Sequence, residues 1–138
     1  MKTALVTGGT RGIGLSTAQK FIEQGWNVYI TSRKQENLDT VLSENPQLKG
    51  FVARADDLAA ATETCKSVIE ETGSLDVLVN NAGTNPSGGS LLDVELSAVQ
   101  KTWDVNLMGP LMWTREAVKA GLKAVSYTHL TLPTKRIV

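Results

Sequence analysis

The chain is poor in cysteine, histidine and aromatic residues, and it carries no net charge. Its single cysteine, Cys65, has no partner for an internal disulfide, so a core must hold the fold and a reducing, cytoplasmic setting is expected. His129 is the only histidine. No acid or nucleophile forms a constellation with it, so neither a catalytic role nor a metal site is assigned. Fourteen basic and fourteen acidic residues cancel, which argues against the concentrated basic face that a nucleic-acid partner requires. No run of about eighteen apolar residues exists, and the N-terminus lacks a charged head followed by an apolar block. A membrane span is therefore not expected. With 41% hydrophobic and 20% charged residues, the composition is globular. One domain of this length buries roughly two-thirds of its unfolded surface.

Glycine, by contrast, is concentrated: Gly8, Gly9, Gly12 and Gly14 crowd one short segment. The segment follows Thr3-Ala4-Leu5-Val6, a continuous apolar run suited to a strand buried on both faces of a parallel sheet. It precedes a helical pattern in which Ile13, Ala18, Phe21 and Ile22 are read as one face, ended by Gly25 as a left-handed cap. Residues 26–31 read as a second strand, 35–43 as a short helix, and 51–53 as a third strand after the break at Pro46. Asp57 is placed to cap a helix with Leu58, Ala61, Cys65 and Val68 on its apolar side. Gly73 stops it, and residues 75–79 form a fourth strand. A long helical stretch is expected from about Leu96 to Leu122, carrying Leu107, Met108, Leu111, Met112, Trp113 and Val118. Alternating strands and helices predict an α/β fold with a doubly wound parallel sheet.

The glycine loop, Thr7-Gly8-Gly9-Thr10-Arg11-Gly12-Ile13-Gly14, thus joins a strand to a helix. Glycine permits positive φ and leaves no side chain between backbone and ligand. The helix N-terminus then offers free N–H groups to a phosphate. Gly9 and Gly14 have the separation of a P-loop, but Leu15 stands where that motif needs lysine. The alternatives left are a turn that binds nothing and a dinucleotide loop.

The spacing Thr-Gly-x-x-x-Gly-x-Gly resembles that of the short-chain dehydrogenase/reductase family. Asn80-Asn81-Ala82-Gly83 after the fourth strand, and Asn106 within Asp104-Val105-Asn106-Leu107, resemble the family's later motifs in the same order. The resemblance covers about residues 1–124. It implies a Rossmann-like fold and a nicotinamide cofactor, whose pyrophosphate would lie on Thr7, Gly8, Thr10, Arg11, Gly12, Ile13 and Gly14. Asn80, Asn81, Ala82 and Gly83 would line the cofactor floor. It also implies carbonyl/alcohol interconversion on a small-molecule substrate, in a parent protein that is a homo-oligomer. A non-catalytic dinucleotide sensor is the alternative reading.

A carboxylate about twenty residues beyond the glycines would bond an adenosine ribose 2′-hydroxyl and repel a 2′-phosphate. Here Thr31, Ser32 and Arg33 stand instead. Ser32 can hydrogen-bond a phosphate oxygen, and Arg33 and Arg11 add positive charge. NADP(H) is therefore expected over NAD(H). Asp56 is a candidate for the adenine pocket, although an ungapped count from Asn81 puts Arg54 there.

Of the family's catalytic set (Asn, Ser and Tyr-x-x-x-Lys), only Asn106 has a match. Pro110, four residues on, has no N–H, so the Asn106 carbonyl loses its helical partner and is free for a relay water. Tyr127 is followed four residues later by Thr131, not lysine, and receives no role. Residues 125–134 resemble an in-frame translation of a sequencing adaptor. The expected organisation is an incomplete dinucleotide-binding domain over 1–124, truncated after about four strands and inactive as it stands. A non-native tail would then occupy 125–138; the competing reading makes Arg136-Ile137-Val138 the entry to a fifth strand. Thr84 to Ser90 are expected to border a substrate mouth.

Overall fold

The computed structural model describes residues 1–122; the tail and Tyr127, His129 and residues 136–138 lie outside them. Strand β1 (Thr3–Val6) leads to α1 (Gly12–Glu23), β2 (Asn27–Ser32), α2 (Gln35–Glu44), β3 (Leu48–Val52), α3 (Leu58–Thr72) and β4 (Val77–Val79). A 3-10 turn (Leu91–Asp93), α4 (Leu96–Trp103), a π-helical turn (Asp104–Met108) and α5 (Gly109–Ala120) follow. The four strands are parallel, in the order β3-β2-β1-β4. This is the doubly wound α/β arrangement anticipated from the alternation of elements.

Strand alternation divides the core into two layers. Val6, Val28 and Ile30 meet Ala18 of α1 and Leu38 and Val41 of α2. Leu5 and Tyr29 meet Ala61, Cys65 and Val68 of α3 and Trp113 and Ala117 of α5. All four residues of β1 are buried, as its unbroken apolar run requires. Asp57 caps α3 by accepting from the Ala60 amide at 3.1 Å, and Gly73 closes that helix with φ +81°.

Several expectations need correction. Ile13 is 80% exposed: at 100° per residue it lies about 140° around α1 from Ala18, so Leu15, Ala18 and Ile22 form the inward face instead. Leu58 is likewise exposed, being the first residue of α3. β3 begins at Leu48, whose buried side chain and register with Val28 outweigh the polar Lys49 that masks the strand in the sequence. β4 begins at Val77, because the Thr3 amide donates to the Asp76 carboxylate at 2.8 Å and the sheet register starts only at Ala4 with Val77.

The expected long helical stretch runs without a break from Leu96 to Ala120, widened by one π-helical turn at Asp104–Met108. Gly109 donates to the Asp104 carbonyl in a widened turn, and Pro110, which has no N–H, occupies the first turn of α5. The widening lets Gly109 sit against the Ala55 carbonyl, where a Cβ would lie at 2.8 Å. Trp113, fully buried, donates through Nε1 to the same carbonyl at 3.2 Å. Leu107, Leu111 and Val118 are exposed. Among the described residues no helix is long and apolar enough to cross a membrane.

Candidate functional site

The carboxyl ends of β1, β2 and β4 open onto one cleft of about 420 Å³, the place where an open parallel sheet leaves room for a ligand. The glycine loop forms one wall. Its backbone is fixed from both neighbouring strands: Thr7 N–H donates to the Val79 carbonyl at 3.0 Å, and Gly9 N–H to the Thr31 carbonyl at 3.1 Å. Gly8 has φ +63° and approaches Ala82 so closely that a Cβ would lie 3.0 Å from its Cα. An L side chain there meets both a strained backbone and an occupied space.

Thr7 and Asn81 bolt this wall to the end of β4. The Thr7 hydroxyl oxygen accepts from the amides of Asn81 and Ala82, both at 3.1 Å. The Asn81 side-chain amide donates to the carbonyls of Thr7 (3.1 Å) and Gly8 (2.9 Å). Gly14 completes the contact from within α1, since a Cβ there would overlap Asn81 Nδ2 and the Gly8 carbonyl oxygen. These side chains act on the shape of the loop from behind.

The residues singled out in the sequence therefore separate into groups. Gly8, Thr10, Arg11, Gly12 and Ile13 line the cleft from the loop; Ser32 and Arg33 line it from the end of β2; Asn81, Ala82 and Gly83 line it from β4. Thr84, expected at a substrate mouth, and Val105, beside Asn106, line it as well, as do Lys34 and Asn37, which were not singled out. Lys34 and Asn37 could have been found by following the chain one helical turn past Arg33. Thr7 and Gly14 lie behind the lining. Asn80 turns away and donates to the Thr114 hydroxyl of α5 at 3.0 Å.

Asp56 is not part of the cleft lining. Its carboxylate accepts from Arg54 through two nitrogens, at 3.0 and 3.2 Å, and from Lys101 of α4 at 3.1 Å. The Arg54 guanidinium, aided by Lys101, lowers its pKa to about 2 against the cost of burial. It joins the loop after β3 to α4, and both of its oxygens are engaged in doing so.

Asn106 lies in the π-helical turn with its side chain engaged. Oδ1 accepts from the Thr84 amide at 2.7 Å and Nδ2 donates to the Thr84 carbonyl at 2.8 Å. This two-pronged clasp fixes the segment after Gly83. A second, apolar cavity of about 570 Å³ begins beside it, between Asn85, Ser87 and Ser90 on one side and Val99, Trp103 and Leu107 on the other. A larger open depression of about 910 Å³ runs along the outer side of α1 past Ile13, Lys20 and Gln24. It draws on a single helix and the residues next to it, whereas the cleft gathers polar groups from three separated segments. Convergence of such groups, rather than volume, marks a binding site. Among the described residues no three His, Cys, Asp or Glu side chains gather as a metal site would need.

Comparison with known proteins gives one direction. The family model described as short chain dehydrogenase matches residues 2–126. The human protein named Dehydrogenase/reductase SDR family member 4 is 34% identical over 121 residues, which cover 85% of this chain and 44% of that protein. Tropinone reductase-like 3 of Erythroxylum coca is 31% identical over 120 residues, covering 84% of this chain and 46% of its own length. Among solved structures, a variant of actinorhodin polyketide ketoreductase with NADPH superposes with a TM-score of 0.82 at 33% identity, over 87% of this chain and 47% of that one. ElxO with NADP bound gives 0.79 at 30% identity, over 86% and 49%. The chain thus spans about half the length of the proteins it matches.

Proposed function

The chain belongs to the short chain dehydrogenase family, and from that premise we propose that its parent is an NADP(H)-dependent oxidoreductase that interconverts a carbonyl and an alcohol on a small molecule. The observation that carries the cofactor choice is the state of the cations. Arg11, Arg33 and Lys34 all line the cleft and take part in no ion pair among the described residues. Every other described lysine or arginine lies within 4.0 Å of a carboxylate, except Lys2, which stands over the Trp26 ring. Among the described residues no aspartate or glutamate lines the cleft. Three cations without an ion pair, on a wall whose described lining holds no acid, suit a ligand with an extra phosphate and give a bare ribose diol no carboxylate acceptor. The NADPH and NADP in the solved relatives point the same way.

The dinucleotide fits the residues present. The bare backbone at Gly8 and the start of α1 would hold its pyrophosphate, Arg11, Arg33 and Lys34 its 2′-phosphate, and Ala82 and Gly83 would form the floor. Bound, its nicotinamide ring supplies or accepts a hydride. Asn106 serves the proton side in this reading: with its side chain committed to Thr84 and Pro110 offering no N–H, its carbonyl is available to a relay water. The apolar cavity beside Thr84 is the proposed start of the substrate site. Residues 1–124 constitute the dinucleotide-binding part. The chain by itself is proposed to bind the cofactor without turnover, and the parent to be a cytoplasmic homo-oligomer.

The test is a fluorescence titration of the chain with NADPH and with NADH. Tighter binding of NADPH, weakened when Arg33 and Lys34 are both replaced by alanine, is the expected result. Equal or tighter binding of NADH removes the cofactor assignment, and no binding of either removes the proposed role of the cleft.

A further inference from the structure

Of the α-helices, α4 is the least anchored. None of its eight residues is buried, and the side-chain bonds of Gln100 and Thr102 stay within the same helical run. Among the described side-chain bonds of α4 only that of Lys101 reaches another segment, donating to the Asp56 carboxylate at 3.1 Å. Arg54 grips the same carboxylate through two nitrogens, which fixes the plane of the acceptor. Beyond the widened turn the same loop takes hold again. Ala55, next in the chain to Asp56, accepts from Trp113 Nε1 of α5 at 3.2 Å, and Gly109 packs against the same carbonyl. Two adjacent residues thus grip one helical run on both flanks of Asp104–Met108, the turn that carries Asn106.

A π-helical turn holds more residues than an α-helical one, and it is a rare form. Relaxing it to a regular α-turn would displace the flanks relative to each other by about 1.5 Å and about 100°, the step of one residue. Neither flank can take that step while Lys101 is held at Asp56 and while Trp113 and Gly109 are held at Ala55. Val105 adds one buried side chain to the turn, but a single point of attachment does not define a register. We propose that Ala55 and Asp56 form a brace that fixes the register of the widened turn, with Lys101 and Trp113 as positioning residues that set Asn106 against Thr84. Both prongs of the clasp, Oδ1 to the Thr84 amide and Nδ2 to its carbonyl, need one orientation of the Asn106 side chain, so the clasp depends on that register. Its use in a proton relay rests on the reading of Asn106 above; the brace itself does not.

Nuclear magnetic resonance of the full chain, without coenzyme, tests the brace at a distance. Lys101→Met removes the cation and keeps an aliphatic stem, and Trp113→Phe removes the Nε1 donor and keeps a ring. In each variant the Thr84 amide signal and the Asn106 side-chain amide signals are expected to move. Exchange of the Thr84 amide with water should quicken roughly fivefold, as loss of one hydrogen bond allows. Amide signals of β2, a strand paired on both edges, are expected to stay in place. Lys101→Arg, which keeps the charge, retains the wild-type signals at Thr84 and Asn106. Asp56→Asn reproduces Lys101→Met, and combining the two adds nothing further. If Trp113→Phe does not fold, the Lys101 and Asp56 variants carry the test. Thr84 and Asn106 signals that stay in place in a folded variant overturn the inference. So does movement of the β2 signals along with them, which would mean general loosening. A wild-type chain that binds neither NADPH nor NADH removes the functional reading and leaves the brace standing.

Discussion

Replacing Gly14 by alanine puts two opposite effects in competition. Gly14 lies inside α1, and in a solvent-facing helical position glycine to alanine gains about 1 kcal/mol. Here the new methyl group would overlap Asn81 Nδ2 and the Gly8 carbonyl oxygen. Asn81 would have to withdraw, giving up its bonds to the carbonyls of Thr7 and Gly8, worth about 1 kcal/mol each. The Gly8 carbonyl belongs to the backbone and cannot rotate away like a side chain, so overpacking adds about 1–3 kcal/mol. The sum is a net destabilisation of about 2–4 kcal/mol, opposite in sign to helix propensity. Urea unfolding followed by far-ultraviolet circular dichroism measures it. Ser16→Ala, on the exposed side of the same helix, serves as the propensity control and should be neutral or slightly stabilising. A Gly14→Ala chain as stable as the wild type would refute the packing of the loop against Asn81, and with it the shape of the cleft.

Three further outcomes follow from individual side chains. The Thr3 hydroxyl is buried without a hydrogen-bond partner among the described residues, so Thr3→Val, which keeps the shape, should stabilise the chain by about 1 kcal/mol in the same assay; a loss would mean that the hydroxyl is satisfied. Asp56 has a folded pKa of about 2, below the usual range of a carboxylate, so its contribution is complete above about pH 4 and lost as the pH falls through about 2, an effect of at most about 2 kcal/mol. Asp56→Asn should flatten that acid limb of the stability curve, and an unchanged limb would contradict the ion-pair assignment. Burial, with a smaller effect from Glu116, raises the Cys65 thiol to about 11. Its reaction with an aromatic disulfide reagent at pH 8 should therefore await unfolding, whereas rapid labelling of the native chain would place the thiol outside the core.

Much of the architecture was legible because its signals are local. Asp57 announces the start of α3 and Gly73 its end, and the apolar run at residues 3–6 announces a strand covered on both faces. Ile13 was misread because its apolar side chain lies next to the true inward stripe in sequence but not around the helix. The widened turn between α4 and α5 was only half legible. Pro110 signalled a disturbance, but the widened turn also depends on Gly109 meeting the Ala55 carbonyl, more than fifty residues away in the chain. At the site, the glycine loop and the residues after β4 were legible as motifs. Asp56 was not, because its carboxylate could face the cleft or Lys101, and only tertiary contact selects between them. Lys34 and Asn37 escaped notice because they have no spacing signature; the first turn of α2 alone turns them towards Arg33.

The single oxygen of Thr7 that receives two amide hydrogens from Asn81 and Ala82 has a consequence for how the molecule comes into being. The groups it joins are 74 and 75 residues apart, so the cleft has no local route to closure. On a ribosome the first strand, its loop and its helix emerge long before the segment that locks them, and contacts of such long sequence separation form late. Until that segment arrives, the nascent loop is free to sample other shapes, and the cleft lacks one of its walls.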